Sequence, residues 1–176
     1  MMRPADPDLV WKARRGDQEA FAALLEPLLT PAFRLAVGML QDRQLAEDAV
    51  QEAALKACQK LTQLREGSPM QPWFLGIVGN QCRSARRSSW WRILRSDTAP
   101  VHATSPDDAV AEGVDLRRAL RRLSPDQRLV IVLYFYLDLP LDQVAEITGA
   151  SYEAVRGRLY RGLREMRIDL SEAEAK

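Results

Sequence analysis

Residues 141–166, LDQVAEITGASYEAVRGRLYRGLREM, decide how this chain is read. Leu141, Val144, Ala145 and Thr148 recur at helical spacing and share one face. Gly149 follows, a residue whose missing Cβ lets it take the left-handed backbone that ends a helix. Ser151 offers a hydroxyl to cap a second helix, in which Val155, Leu159, Gly162 and Met166 form the inward stripe. The opposite face carries Tyr152, Arg156, Arg158, Tyr160, Arg161 and Arg164, only partly offset by Glu153 and Glu165. A short helix, a glycine turn and a second helix with a basic outer face fit a helix-turn-helix, whose second helix enters the DNA major groove. Apolar helices with arginine on the wet side are common, so the rest of the chain has to decide.

Upstream of this stretch, Ser124, Pro125 and Gln127 form a capping-box start with proline in the first turn. They launch a strongly apolar helix over residues 129–137, the expected core of a second domain. Residues 110–123 also read as helix. Residues 96–107 hold Pro100, Pro106, small polar residues and the single histidine, His102, and read as a linker between two helical domains.

The amino-terminal half shows no strand signal. Residues 9–15 form a short helical candidate ending at Gly16, and Asp17 can cap the next helix. There Phe21, Leu24, Leu25, Leu28 and Leu29 repeat on one face, and Pro27 should bend the run or end it early. Thr30 and Pro31 look like the cap and first turn of a separate helix through Leu40. Asp42 opens a further helix with an apolar stripe of Leu45, Ala49, Val50, Ala53, Ala57 and Leu61. Its other side carries Glu47, Asp48, Gln51 and Glu52. Acids early in a helix are favoured by its dipole, and that plainer reading leads on local grounds over a docking surface for a basic partner.

Residues 64–70, LREGSPM, form a loop by composition, and Pro72 marks the next helix start. Trp73, Phe74, Ile77, Val78 and Cys82 lie on one side of that helix; Asn80, Arg83, Arg86 and Arg87 lie on or near the other. Trp73 reads as core. Trp90, Trp91, Arg92 and Arg95 extend a run from Arg83 without any acid, the composition of a surface that tracks a nucleic-acid backbone and stacks on bases.

Length and charge bound these readings. The 176 residues suffice for one domain or two small ones with a real core. A formal charge of +1 supplies no global basic field, so any nucleic-acid contact must come from local patches. Cys58 and Cys82 lack any CxxC or Cys/His cluster and are expected as buried free thiols in a reducing compartment. No apolar signal core opens the chain and no stretch reads as transmembrane, so a cytoplasmic protein without membrane insertion is expected. The sequence offers no phosphate loop, nucleophile elbow or partnered histidine, hence no expected catalytic residue, metal, cofactor or small-molecule substrate.

With both halves read, the chain resembles a bacterial sigma factor of the extracytoplasmic-function class, the two-domain minimal form of the sigma-70 family. LAEDAVQEAALKA (residues 45–57) is similar to the family's acidic Asp-x-Val-Gln-Glu helix, and PWFLGIVGNQCRSARR (residues 72–87) to its Trp-Leu-x-x-Ile-x-x-Asn helix. Residues 123–165 resemble its helix-turn-helix domain nearly end to end. The fold implied is all-α, with two small helical domains on a flexible linker. Residues 1–95 would bind core RNA polymerase and the minus-ten element, 96–107 would link, and 108–176 would be a four-helix helix-turn-helix domain for the minus-thirty-five element.

The resemblance implies that Asp48, Gln51 and Glu52 bind the clamp helices of the largest polymerase subunit, which reverses the local reading of that patch. Residues 64–70 and the helix bearing Asn80 and Arg83 would open and read the minus-ten element of promoter DNA, with Arg86 and Arg87 on phosphates. Arg156, Tyr160 and Arg161 would face the minus-thirty-five element, and Arg158 and Arg164 would take phosphates. An anti-sigma factor is a further implied partner. Gly76 and Gly79 depart from the family's minus-ten helix, where more basic and bulky residues are usual, Met70 stands where a phenylalanine is common just before it, and Gly157 replaces the usual serine. The two glycines imply close packing or a flexible reading helix. The rival readings are a stand-alone helix-turn-helix regulator and a sigma-like protein-interaction module; a small helical enzyme has no visible site.

Overall fold

The computed structural model describes residues 5–65, 67–95 and 111–166, with the backbone alone for 87–95 and 111–115. The helices are α1 (Pro7–Arg14), α2 (Gln18–Leu40), α3 (Arg43–Gln59), α4 (Met70–Arg95), α5 (Ala111–Arg122), α6 (Pro125–Ile131), α7 (Leu141–Thr148) and α8 (Tyr152–Glu165). A 3-10 turn follows α3 at Leu61–Gln63, and α6 runs on as a wider π-helical turn over Val132–Tyr136. The described residues hold no strand, so the fold is all-α. The expected linker and His102 lie outside the described residues.

Local chemistry sets most helix starts. Asp6, Asp17 and Asp42 each accept backbone N–H bonds at the heads of α1, α2 and α3. Ser124 and Gln127 close the expected capping box at α6. Helix α2 departs from expectation. It runs unbroken through Pro27 and Pro31, because Leu24, Leu25, Leu28, Ala32, Leu35 and Ala36 are all buried along it. That burial outweighs a proline penalty of about 3 kcal/mol per interior site. Leu29 points outward. By length and composition α2 is apolar enough to cross a membrane, contrary to the sequence reading; here its apolar face packs against α1, α3 and α4.

Two further expectations change. Cys58 is exposed and only Cys82 is buried, because Cys58 follows Ala57 around α3 onto the wet side. Met70 belongs to α4 and is buried, and Leu64 is buried at the other end of the loop. Arg14 anchors that end by donating to the carbonyls of Leu61 and Leu64. Trp73 is half-buried against the core.

The helix-turn-helix forms as expected. Gly149 takes φ 65°, and Ser151 Oγ accepts from the Ala154 amide at 3.3 Å. Ile147 and Leu163 join Val144, Val155, Leu159 and Gly162 in its buried seam. The core does not stop there. Leu129, Val132 and Ile147 continue it onto α2 and α4, so both halves share one apolar cluster.

Candidate nucleic-acid interface

Helix α8 is held by its buried stripe, with Gly162 so close to α6 that a Cβ there would lie 2.7 Å from Ile131 Cδ1. Its outer face presents Tyr152, Arg156, Arg161 and Arg164 to solvent, with Arg158 and Tyr160 half-buried beside them. The Arg156 guanidinium sits 5.6 Å from the Tyr160 ring centre. A hydrogen bond to Tyr160, followed by the Coulombic effects of Tyr160 and Glu153, raises the Arg156 pKa above its ordinary value. Every candidate side chain on this helix therefore reaches the surface, and Arg156 is held by a neighbour one turn away.

The α4 candidates are placed differently. Asn80 is exposed, and Arg83 donates to Asn80 Oδ1 and to Asp126 Oδ1, each at 2.6 Å. Asp126 belongs to α6 and also lies 4.0 Å from Arg158. Arg86 donates to the Arg121 carbonyl at 3.2 Å, while its Nη1 is buried without a partner. Burial, then the charge of Arg121, lowers the Arg86 pKa. The side chains of Arg87, Trp90, Trp91, Arg92 and Arg95 lie outside the described residues. A polar groove beside Asn80 and Arg83 is lined by Lys56, Lys60, Gln81, Ser84 and Asp126.

On α3, Asp48, Gln51 and Glu52 form a continuous exposed patch. Glu52 pairs with Lys56 at 3.6 Å, and Gln44 donates to Asp48 at 3.5 Å. Solvent-exposed pairs at this spacing hold little energy and leave the carboxylates available. The sequence reading missed Leu55, which is 60% exposed at the end of the same row. Its signal was present: Leu55 lies off the apolar stripe, four residues after Gln51 and three after Glu52.

Sigma-70 region 2 matches residues 18–92, and sigma-70 region 4 matches residues 113–166. The RNA polymerase sigma factor SigV of Bacillus subtilis (strain 168) is 32% identical over 143 residues, covering 81% of this chain and 86% of that protein. The chain belongs to the extracytoplasmic-function class of the sigma-70 family. The same class is named in SigL of Mycobacterium tuberculosis, 29% identical over 167 residues, with 89% of this chain and 94% of that protein covered. In fold, the sigma factor is similar to RpoE of Bartonella quintana, solved with the anti-sigma factor NepR, at a TM-score of 0.66 and 24% identity over 84% of this chain and 94% of that one.

In this sigma factor the two matched regions touch. Arg34 donates to the Tyr136 carbonyl at 2.6 Å, with its guanidinium 4.7 Å from the Tyr136 ring centre. Gln41 donates to the Arg117 carbonyl at 3.2 Å and accepts from Arg121 Nε at 2.9 Å. Gly76 and Gly79 are sites of close approach, the first of the two alternatives the sequence left open. A Cβ on Gly76 would meet the Ile147 carbonyl oxygen at 2.9 Å, and one on Gly79 would meet Leu129 Cδ1 at 3.2 Å. Arg83 and Arg158, drawn from separate candidate surfaces, thus converge on Asp126.

Proposed function

We propose that this protein is an alternative sigma factor that binds core RNA polymerase and directs promoter recognition, DNA melting and transcription initiation. The observation that carries the reading is the exposed basic face of α8 in a chain that also matches region 2. Residues 1–95 form the polymerase-binding and minus-ten unit and 108–176 the minus-thirty-five unit. Asp48, Gln51 and Glu52 dock on a basic polymerase surface, where arginine is the best-matched donor. Asn80 and Arg83 read the minus-ten element by holding unstacked bases, with Arg86 and Arg87 on phosphates. Arg156, Tyr160 and Arg161 read the minus-thirty-five element, and Arg158 and Arg164 position the duplex through its backbone. The polymerase supplies the catalysis, so the protein itself is not an enzyme, and it works in the cytoplasm.

An anti-sigma factor is a further proposed partner, supported by RpoE of Bartonella quintana having been solved with one. The test is initiation by core polymerase, with and without this protein, on a pool of randomised promoters. Enrichment of two spaced elements is the expected result. Duplex binding without core binding would replace the reading with a stand-alone regulator, and core binding without initiation with an interaction module.

A further inference from the structure

We propose that Arg86, Arg121 and Arg128 bind a phosphate group, either free inorganic phosphate or the phosphate of a small ester, where α4, α5 and α6 meet. The reading of α8 as a promoter-binding face is not needed for this site, and the two can fail separately.

Hydrogen bonds bring the three arginines together. Arg86 of α4 donates through Nη2 to the backbone carbonyl of Arg121 on α5 at 3.2 Å. Arg121 Nε donates to Gln41 Oε1 at 2.9 Å, and Gln41 caps the end of α2. Arg128 of α6 donates to the carbonyl of Met39, two residues before Gln41. Three helices thus deliver one guanidinium each to the region around the end of α2. Each feels the charge of another. Burial, then Arg121, lowers the Arg86 pKa, and burial, then Arg86 and Arg121, lowers that of Arg128.

Among the described residues, none of the three pairs with a carboxylate. Asp126, the acid in the first turn of α6, is engaged by Arg83 and Arg158 instead. Acceptors are short as well as charge. Arg86 Nη1 and the Nε and Nη2 of Arg128 are buried with no hydrogen-bond partner. Buried charge without a partner is costly, and buried donors left unpaired are rare enough to call for an ion or another acceptor. An anion answers both deficits at once.

The deficits also select the anion. Chloride and a carboxylate bring one charge each, and the carboxylate only two oxygens. A phosphate brings about two charges at neutral pH and three or more acceptor oxygens, and the guanidinium fork matches its geometry. Three cations with three unpaired N–H groups therefore suit phosphate best. Arg121 is exposed and Arg86 half-buried, so the cluster keeps a side open to solvent through which the ion enters. Seated there, phosphate ties α4, α5 and α6 together where the chain itself sets like charges side by side.

The test is thermal unfolding of the full chain in phosphate-free buffer, with inorganic phosphate added at constant ionic strength against a chloride control. Phosphate at roughly a hundredfold excess over its Kd should raise the melting temperature by about 5–10 °C. Arg121→Gln and Arg128→Met should each cut that rise roughly threefold or more, since each removes one of the three cations. Circular dichroism checks that both keep their helices. Arg161→Ala, which removes a cation from α8 instead, should keep the whole response. A nucleoside monophosphate is titrated in parallel. A rise with the inorganic ion makes free phosphate an occupant, and a rise with the monophosphate alone makes it the ester. No rise beyond the chloride control with either overturns the site. A rise that survives in both junction variants, or that Arg161→Ala abolishes, puts the phosphate on other arginines and overturns it too.

Discussion

Arg128 Nη1 donates to the Met39 carbonyl at 2.8 Å, fastening α6 to the last turn of α2. That last turn has no basic residue of its own, so a cation from a distant helix faces its negative end. The arrangement is one-sided. Arg128 is 2% exposed, yet its Nε and Nη2 find no acceptor.

Replacing Arg128 with methionine should therefore raise the melting temperature. Burial, then Arg86 and Arg121, lower the Arg128 pKa from its ordinary value to about 10. The unfolded chain thus holds the proton more firmly, and the cost to folding is fully present at neutral pH. It fades only as pH rises through about 10 towards the ordinary arginine range. Removing two unpaired donors outweighs one lost bond to Met39, and each kcal/mol gained is worth about 2–4 °C in a chain of this size. Calorimetry decides the sign; a fall of several degrees would mean that the Met39 bond dominates.

The two cysteines should separate cleanly in thiol titration. Burial pushes the Cys82 thiol up to about 12, so almost none of it is thiolate at neutral pH, and its sulfur is also shielded. Cys58 is exposed on α3. One equivalent of a disulfide reagent should react quickly with native protein and a second only in denaturant. Two fast equivalents would contradict the packing of α4.

Charge reversal on α3, Asp48→Lys with Glu52→Lys, should weaken core polymerase binding roughly a hundredfold or more, because like charges would face each other across the interface. Both side chains are exposed, so the melting temperature should barely move. Leu55→Ser should weaken binding without touching charge, since an exposed leucine beside the patch gains by burial against a partner. Unchanged co-purification with polymerase would remove α3 from the interface.

On α8, Arg156→Ala and Arg164→Ala should fail in different ways. Loss of Arg156 should cost about 1–3 kcal/mol on the preferred minus-thirty-five sequence and relax discrimination there. Loss of Arg164 should weaken all duplexes alike and reduce the salt dependence by about one counterion. Binding measured against a cognate and a scrambled duplex at several salt concentrations separates the two. Equal losses on both sequences for Arg156→Ala would make it a phosphate contact.

Much of this architecture was legible because its signals are local. Asp17, Asp42, Ser124 and Ser151 cap the helices they were expected to cap, since a cap needs only a side chain and amides a turn away. Pro27 and Pro31 misled for the opposite reason. Their backbone penalty is local, whereas the leucines that overcome it are buried by α1, α3 and α4. The exposed placement of Asp48, Gln51, Glu52, Arg156, Arg161 and Arg164 followed from helical period alone. Leu55 lies off the apolar stripe, so its 60% exposure also follows from helical period.

By itself the sequence determined the all-α class, the helix-turn-helix and the faces that carry charge, because capping, glycine turns and periodicity act within a few residues. Only the tertiary structure decided what lies against the outer side of α4. Gly76 and Gly79 leave close packing and a flexible helix both open, and Arg83 and Arg86 read as an outer face, until Ile147, Leu129, Asp126 and Arg121 are set beside them. Those partners are about 35–70 residues away in the chain, and a pairing at that distance is chosen by shape and charge across the whole core, where no local pattern reaches.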